Sequence, residues 1–335
     1  MGVIPMGEHY KSIFLSVIIL ADKFPFVGMD GETNKSMLGE LFMREAITSN
    51  RNKTKSSRLL WYLLLVIALS AFCYITLNVL LQPYSIEYSE TGKMTAGYLL
   101  YAAIGLLFST PTPFLAVLMI ALFIEKIGIR QLFRNIFRTE NKLKTFLITG
   151  GFCLLAFVYA ILFGTPNGSP WYMFPLGFLI MIPFVGIAEE TGWRGLLQPE
   201  LDKRMKYPFS VLITAAIWFV WHFPVFIDPT SNHYGDSVVG FGITIFIWAF
   251  ALAAIYKSTK SVIACALYHT FIDAIGAVYD WNALFDGFPG SAAANVYRGV
   301  WLIAAVVLWI YADKKETGPN NTVLDQLNGN LTKGA

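Results

Sequence analysis

Glu189 and Glu190 stand side by side, and Arg194 follows the second of them by four residues. Residues four apart on a helix share a face, so Glu190 and Arg194 are expected to pair. Glu189 points about 100° away from Glu190 and is left without a local cation. The motif sits where an apolar stretch ends. A carboxylate held away from water with no counter-charge is the preparation that a general base acting on water needs. Two histidines follow on later apolar stretches. His222 comes four residues after Trp218, so the indole can pack on the imidazole, and Pro224 disturbs the helix just beyond. His269 comes four residues before Asp273, whose carboxylate can accept from one ring nitrogen and fix the tautomer of the other. Ionisable side chains inside apolar runs are expensive. Three such pairs on three separate runs point to one buried polar site, with a single water held between Glu189, His222 and His269. His233, beside Asp236 in a polar segment, and His9 are left outside it.

The elements that must position these groups are membrane helices. The 335 residues are 56% hydrophobic and 14% charged, with a mean hydropathy of +0.55. A soluble domain carries about 25% charged residues. A spanning helix needs roughly 20 apolar residues. Eight windows meet that need, at 59–82, 97–124, 145–164, 171–188, 208–227, 238–256, 261–279 and 296–312. The second holds Pro111 and Pro113 and is expected to kink or break. The fold class is therefore all-α, a polytopic bundle of about eight transmembrane helices. Lysine and arginine alternate by loop. They crowd residues 44–58, 126–144, 194–206, 257–260 and 314–315, whereas the intervening loops hold only Lys93 and Arg298. By the positive-inside rule both termini are cytoplasmic. On this topology Glu189 lies near one membrane face while His222 lies about 20 Å deep. A shared site requires either a fourth span that starts later and buries Glu189 below the headgroups, which is the expectation, or residues 190–210 entering the membrane as a broken helix.

Three regions follow along the chain. Residues 1–57 are a leader, in which 13–21 is too short to span and suits a surface helix. Residues 58–312 are the transmembrane domain, with the motifs confined to 171–280. Residues 313–335 are a polar tail expected to lack fixed structure. Between the second and third spans, 127–137 interleaves apolar residues with Arg130 and Arg134, as a cytoplasmic surface helix would. Cys73, Cys153 and Cys265 are far apart in sequence and read as packing residues. The net charge of +3 carries no nucleic-acid signature; the basic residues orient the chain and meet anionic lipid.

The ordered set EExxxR, aromatic-xxx-His and HxxxN/D on successive spans resembles the CPBP family. These are the Rce1-type CAAX prenyl endopeptidases and their bacterial relatives, often called Abi proteins. The resemblance covers 171–280, about a third of the chain. It implies that Glu189 activates water, that Glu190 and Arg194 support it, and that His222 and His269 orient water and stabilise the oxyanion. Asp273 stands where asparagine is usual, although aspartate occurs there among bacterial relatives. Trp218 stands where phenylalanine is usual and is expected to narrow the cavity. An ionised carboxylate cannot donate to an oxyanion, so Asp273 either carries a proton or orients His269.

The chemistry this implies is hydrolysis of a peptide bond inside the membrane, with a hydrophobic or lipidated peptide as substrate. No serine or cysteine nucleophile stands beside the histidines, so an acyl-enzyme is not expected. The preferred reading needs no cofactor. The alternative is a zinc held by Glu189, His222 and His269 with an open position, Glu190 then serving as base. A non-catalytic membrane scaffold, related to bacteriocin immunity, is the second functional class. A proton-coupled transporter is the third, disfavoured because no repeat is evident. The tail ends Leu-Thr-Lys-Gly-Ala without a retention signal, which suits a bacterial cell membrane.

Overall fold

Apolar runs that cannot satisfy their backbone in lipid must do so internally, and this chain does so with helices. The computed structural model describes residues 57–231, 233–280, 292–315 and 322–324. The chain divides into Met1–Ser57 and Arg58–Ala335. The surface helix expected at 13–21 lies outside the described residues. In chain order the helices are α1 (Ser57–Thr91), α2 (Ala96–Ser109), α3 (Thr112–Ile124), α4 (Ile129–Ile136), α5 (Lys142–Phe163), α6 (Met173–Asp202), α7 (Tyr207–Ile227), α8 (Val238–Thr259), α9 (Val262–Ile275) and α10 (Ala292–Lys315). Among the described residues, six are long and apolar enough to cross a membrane, and α2 with α3 makes a seventh span bent by 54°. Pro111 and Pro113 sit at that bend, where a proline removes a helix hydrogen bond and crowds the preceding turn. Large apolar side chains such as Leu60, Phe72, Phe146 and Leu179 cover the outside of the spans. The molecule is an integral, multi-pass, nearly all-α membrane protein.

Each of the eight apolar windows becomes helical, but the helix in the seventh covers only part of the crossing from the 257–260 connection to Tyr279. That helix, α9, has 14 residues. That is about 21 Å, against a hydrocarbon core of about 30 Å. Its side chains are mostly buried inside the bundle. The long helix α8 forms the core axis, with 61% of its apolar window buried against 17% for α1. The helix α4 lies where the interleaved pattern placed it, burying Leu132 and Ile136 and exposing Arg130 and Arg134.

The bundle has two unlike ends. At one, Arg58 pairs with Glu125 and reaches Glu200 at 3.7 Å, Lys257 meets Asp313 at 2.7 Å, and Thr139 bonds Ser261 at 3.2 Å. Three tail residues are seated there too, contrary to the expectation of a wholly unstructured tail. Thr322, Val323 and Leu324 are buried, and the Val323 amide donates to the Gly195 carbonyl at 2.8 Å. At the opposite end a short antiparallel pair joins β1 (Thr165–Pro166) to β2 (Tyr279–Asp280), and Tyr101 donates to Asp228 at 3.1 Å.

Candidate active site

The helix α6 runs well past the end of its apolar window, to Asp202, so Glu189 falls midway along it. This is how a residue read near a membrane face reaches the depth of His222. Widened π turns at Ile182–Ile187 and Trp193–Leu197 flank the acidic segment. The first contains Pro183, whose ring a widened turn accommodates, and such turns recur at functional sites. Gly186 has no side chain because α9 lies directly against it. A Cβ there would collide with the Thr270 hydroxyl and the Ala266 carbonyl. That close approach brings the two acids of α6 against the histidine of α9.

The acids then take different partners. Glu189 is 3% exposed, and its Oε2 accepts from the indole N–H of Trp218 at 2.8 Å and of Trp193 at 3.3 Å. Glu190 is fully buried. Its Oε1 accepts from Arg194 Nη1 at 3.0 Å and lies 2.8 Å from His269 Nδ1. The Arg194 guanidinium also lies over the Trp218 ring, 4.8 Å from its centroid. Trp218 therefore does more than narrow a cavity: its N–H holds Glu189 while its faces meet Arg194 and the histidines.

His222 and His269 both pack on Trp218, with ring centroids 5.7 and 5.2 Å away. His222 Nδ1 lies 2.9 Å from the Trp218 carbonyl. A carbonyl only accepts, so Nδ1 carries hydrogen and Nε2 is left to face a substrate or water. His269 has carboxylates on both sides, with Asp273 Oδ2 3.5 Å from Nε2. The expected i,i+4 pair is thus present, although long, and the shorter partner of His269 is Glu190.

Glu189, Trp218, His222, His269 and Asp273 all line one cavity of about 520 Å³, with Thr244, Trp248 and Met181 forming more of its wall. Glu190 and Arg194 lie behind that wall. His233 and Asp236, left outside the site by the sequence, line the cavity as well and pair at 2.9 Å. Phe241 joins them to the site, with its ring 5.2 Å from that of His233 and 5.3 Å from that of His222. Trp193 was also missed, although an N–H donor four residues after Glu189 was there to be read.

A zinc held by Glu189, His222 and His269 suits these residues poorly. A ligating imidazole must turn one bare nitrogen to the metal. Both nitrogens of His269 face carboxylates, and the two indoles occupy Glu189 Oε2. Among the described residues no group of three histidine, cysteine, aspartate or glutamate side chains is gathered tightly enough to hold a metal ion.

Comparison with known proteins falls on this same segment. Residues 170–275 match the family described as type II CAAX prenyl endopeptidase Rce1-like. The CAAX prenyl protease 2 of Methanococcus maripaludis is 25% identical over 38% of this chain. The match spans 52%, about half, of that protein's length. No solved structure matches significantly. The two glutamates, both histidines, Arg194, Trp218 and Asp273 all fall between the ends of this match to the Rce1-like family.

Proposed function

We propose that this chain is an intramembrane endopeptidase of the CAAX-protease type, cutting a hydrophobic or lipidated polypeptide with a water activated by Glu189. The observation that carries the reading is the setting of Glu189: a buried carboxylate on the wall of a cavity shared with two histidines, with one oxygen pinned by two indole N–H groups. Oε1 takes the proton of the water. The hydroxide adds to the scissile carbonyl, and the developing oxyanion is stabilised by the Nε2–H of His269, a nitrogen held only loosely by Asp273 at 3.5 Å. His222 gives its Nδ1–H to the Trp218 carbonyl, so its bare Nε2 accepts from the attacking water and orients it. Asp273 and Glu190 orient His269 from either side, and Arg194 balances Glu190. The proton held on Glu189 then passes to the leaving amine, and the two fragments separate. This route uses only side chains of this chain. The similarity of residues 170–275 to the Rce1-like family, and the printed name of the archaeal relative, support peptidase chemistry of this class.

The test is mass spectrometry of peptide cleavage by purified protein in lipid. Wild type and Glu189→Gln are compared on a pool of lipidated and plain hydrophobic peptides. Cleavage by the wild type alone is expected. Equal cleavage by both would overturn the role of Glu189. A chain whose biological role survives Glu189→Gln would be the scaffold instead.

A further inference from the structure

We propose that the cavity is entered from the extracytoplasmic side, so that the polypeptide cut there is a segment presented at the outer face of the membrane. The assignment of side stands on geometry and charge, whereas calling the occupant a substrate rests on the protease reading above.

The mouth of the cavity is made at one end of the bundle. Asn167 comes from the connection between α5 and α6, His233 and Asp236 from that between α7 and α8, and Tyr279 and Asp280 from the stretch after α9. The β1–β2 pair ties the first and last of these connections together, and Asn167 donates to the Gly276 carbonyl at 3.3 Å. All three follow helices that run away from the other end. At that other end lie the connections rich in lysine and arginine: residues 126–144 between α3 and α5, 203–206 between α6 and α7, and 257–260 between α8 and α9. The basic end also holds Lys314 and Lys315 at the close of α10. These loops are short, which is where the positive-inside rule has force, and it places the basic end in the cytoplasm. The mouth is then outside.

The cytoplasmic route is closed by packing. Below Glu189 the helix α6 presents Glu190, Trp193, Arg194, Leu196 and Leu197, all with no exposed surface. Beyond them Arg58 holds Glu125 and Glu200, and Thr322–Leu324 cover Gly195. A peptide arriving from that side would have to displace buried ion pairs. One arriving from the other meets the opening lined by His233, Asp236 and Asp280.

The experiment is cysteine labelling with a membrane-impermeant maleimide, on the full chain with Cys73, Cys153 and Cys265 replaced by alanine. Single cysteines are placed at exposed Tyr234, at exposed Asp280 on the mouth, and at exposed Lys206 on the basic end. Tyr234→Cys and Asp280→Cys are expected to label in intact spheroplasts, and Lys206→Cys only after permeabilisation. The reverse pattern, or labelling of Lys206→Cys before permeabilisation, would overturn the assignment. The readout needs no turnover. An inactive protein would therefore leave it standing, and a reversed orientation would leave the role of Glu189 untouched.

Discussion

The two ends of the bundle both hold carboxylates, but with different partners. At the basic end the buried carboxylates of Glu125 and Glu200 face guanidinium and ammonium groups. At the cavity Glu189, Asp236 and Asp273 face indole and imidazole instead. Glu190 sits at the boundary and has one partner of each kind, Arg194 and His269. A carboxylate against a permanent cation is fixed in one charge state and serves architecture. One against neutral donors or histidine can give or take a proton, which is what chemistry needs. The contrast assigns function to one end, and substitutions that alter a partner test it.

The largest effect is expected where the contrast is sharpest. Glu189→Gln keeps the shape, and its amide oxygen can still accept from both indoles. What it loses is the base. We expect cleavage to fall about 10²- to 10⁴-fold, the range for a positioned acid or base. The protein should still fold, as read by an unchanged melting transition in detergent. A fall in stability of the same size as the fall in rate would move Glu189 into the architectural group.

Arg194 belongs to that group. Arg194→Ala removes the cation from a fully buried pair and leaves Glu190 uncompensated. Breaking such a pair costs about 3–5 kcal/mol. Denaturant unfolding in micelles should show the loss, and adding Glu190→Gln should recover part of it because the stranded charge is then gone. No recovery in the double variant would mean that the guanidinium is needed for Trp218, over which it lies, rather than for Glu190.

How much of this was legible follows the same division. The i,i+4 pairs Glu190–Arg194 and His269–Asp273 could be read from spacing, because one helix fixes them whatever surrounds it. The contacts of Glu190 with His269 and of Glu189 with Trp218 could not, since they depend on how α6, α7 and α9 are rotated against one another. Gly186 was the one local sign of the close approach that sets this. The short α9 was hidden for another reason: apolar composition continues past Ile275, but the helix stops before Gly276. His233 and Asp236 looked like ordinary loop residues because it is tertiary packing, on Phe226 and Phe241, that brings that loop to the cavity. In the tail, nothing in its polar composition marked Val323 as seated on Gly195, whose missing side chain leaves it room.

Trp218→Phe sharpens the comparison at a middle magnitude. The ring remains for both histidines, while the N–H that holds Glu189 at 2.8 Å is deleted. An unmade bond to a buried charged group costs about 1–3 kcal/mol. We expect kcat to fall about 10- to 100-fold with KM little changed, since the base is misaligned rather than the peptide displaced. Unchanged kcat would mean that Trp193 suffices to hold the carboxylate.

Asp273→Asn should have the smallest effect, and the reason lies in its distance. Asp273 Oδ2 is 3.5 Å from His269 Nε2, longer than a well-formed hydrogen bond, and its side chain is 26% exposed. Partly solvated contacts of this kind are worth about 0–1 kcal/mol. An asparagine oxygen can accept from the same nitrogen, so orientation of His269 survives the change. Cleavage by Asp273→Asn should therefore stay within about tenfold of wild type, while Asp273→Ala, which removes the acceptor altogether, falls further. If Asp273→Asn instead lost as much as Glu189→Gln, the charge on Asp273 would itself be part of the proton transfer, and the cavity would work with two acids rather than one.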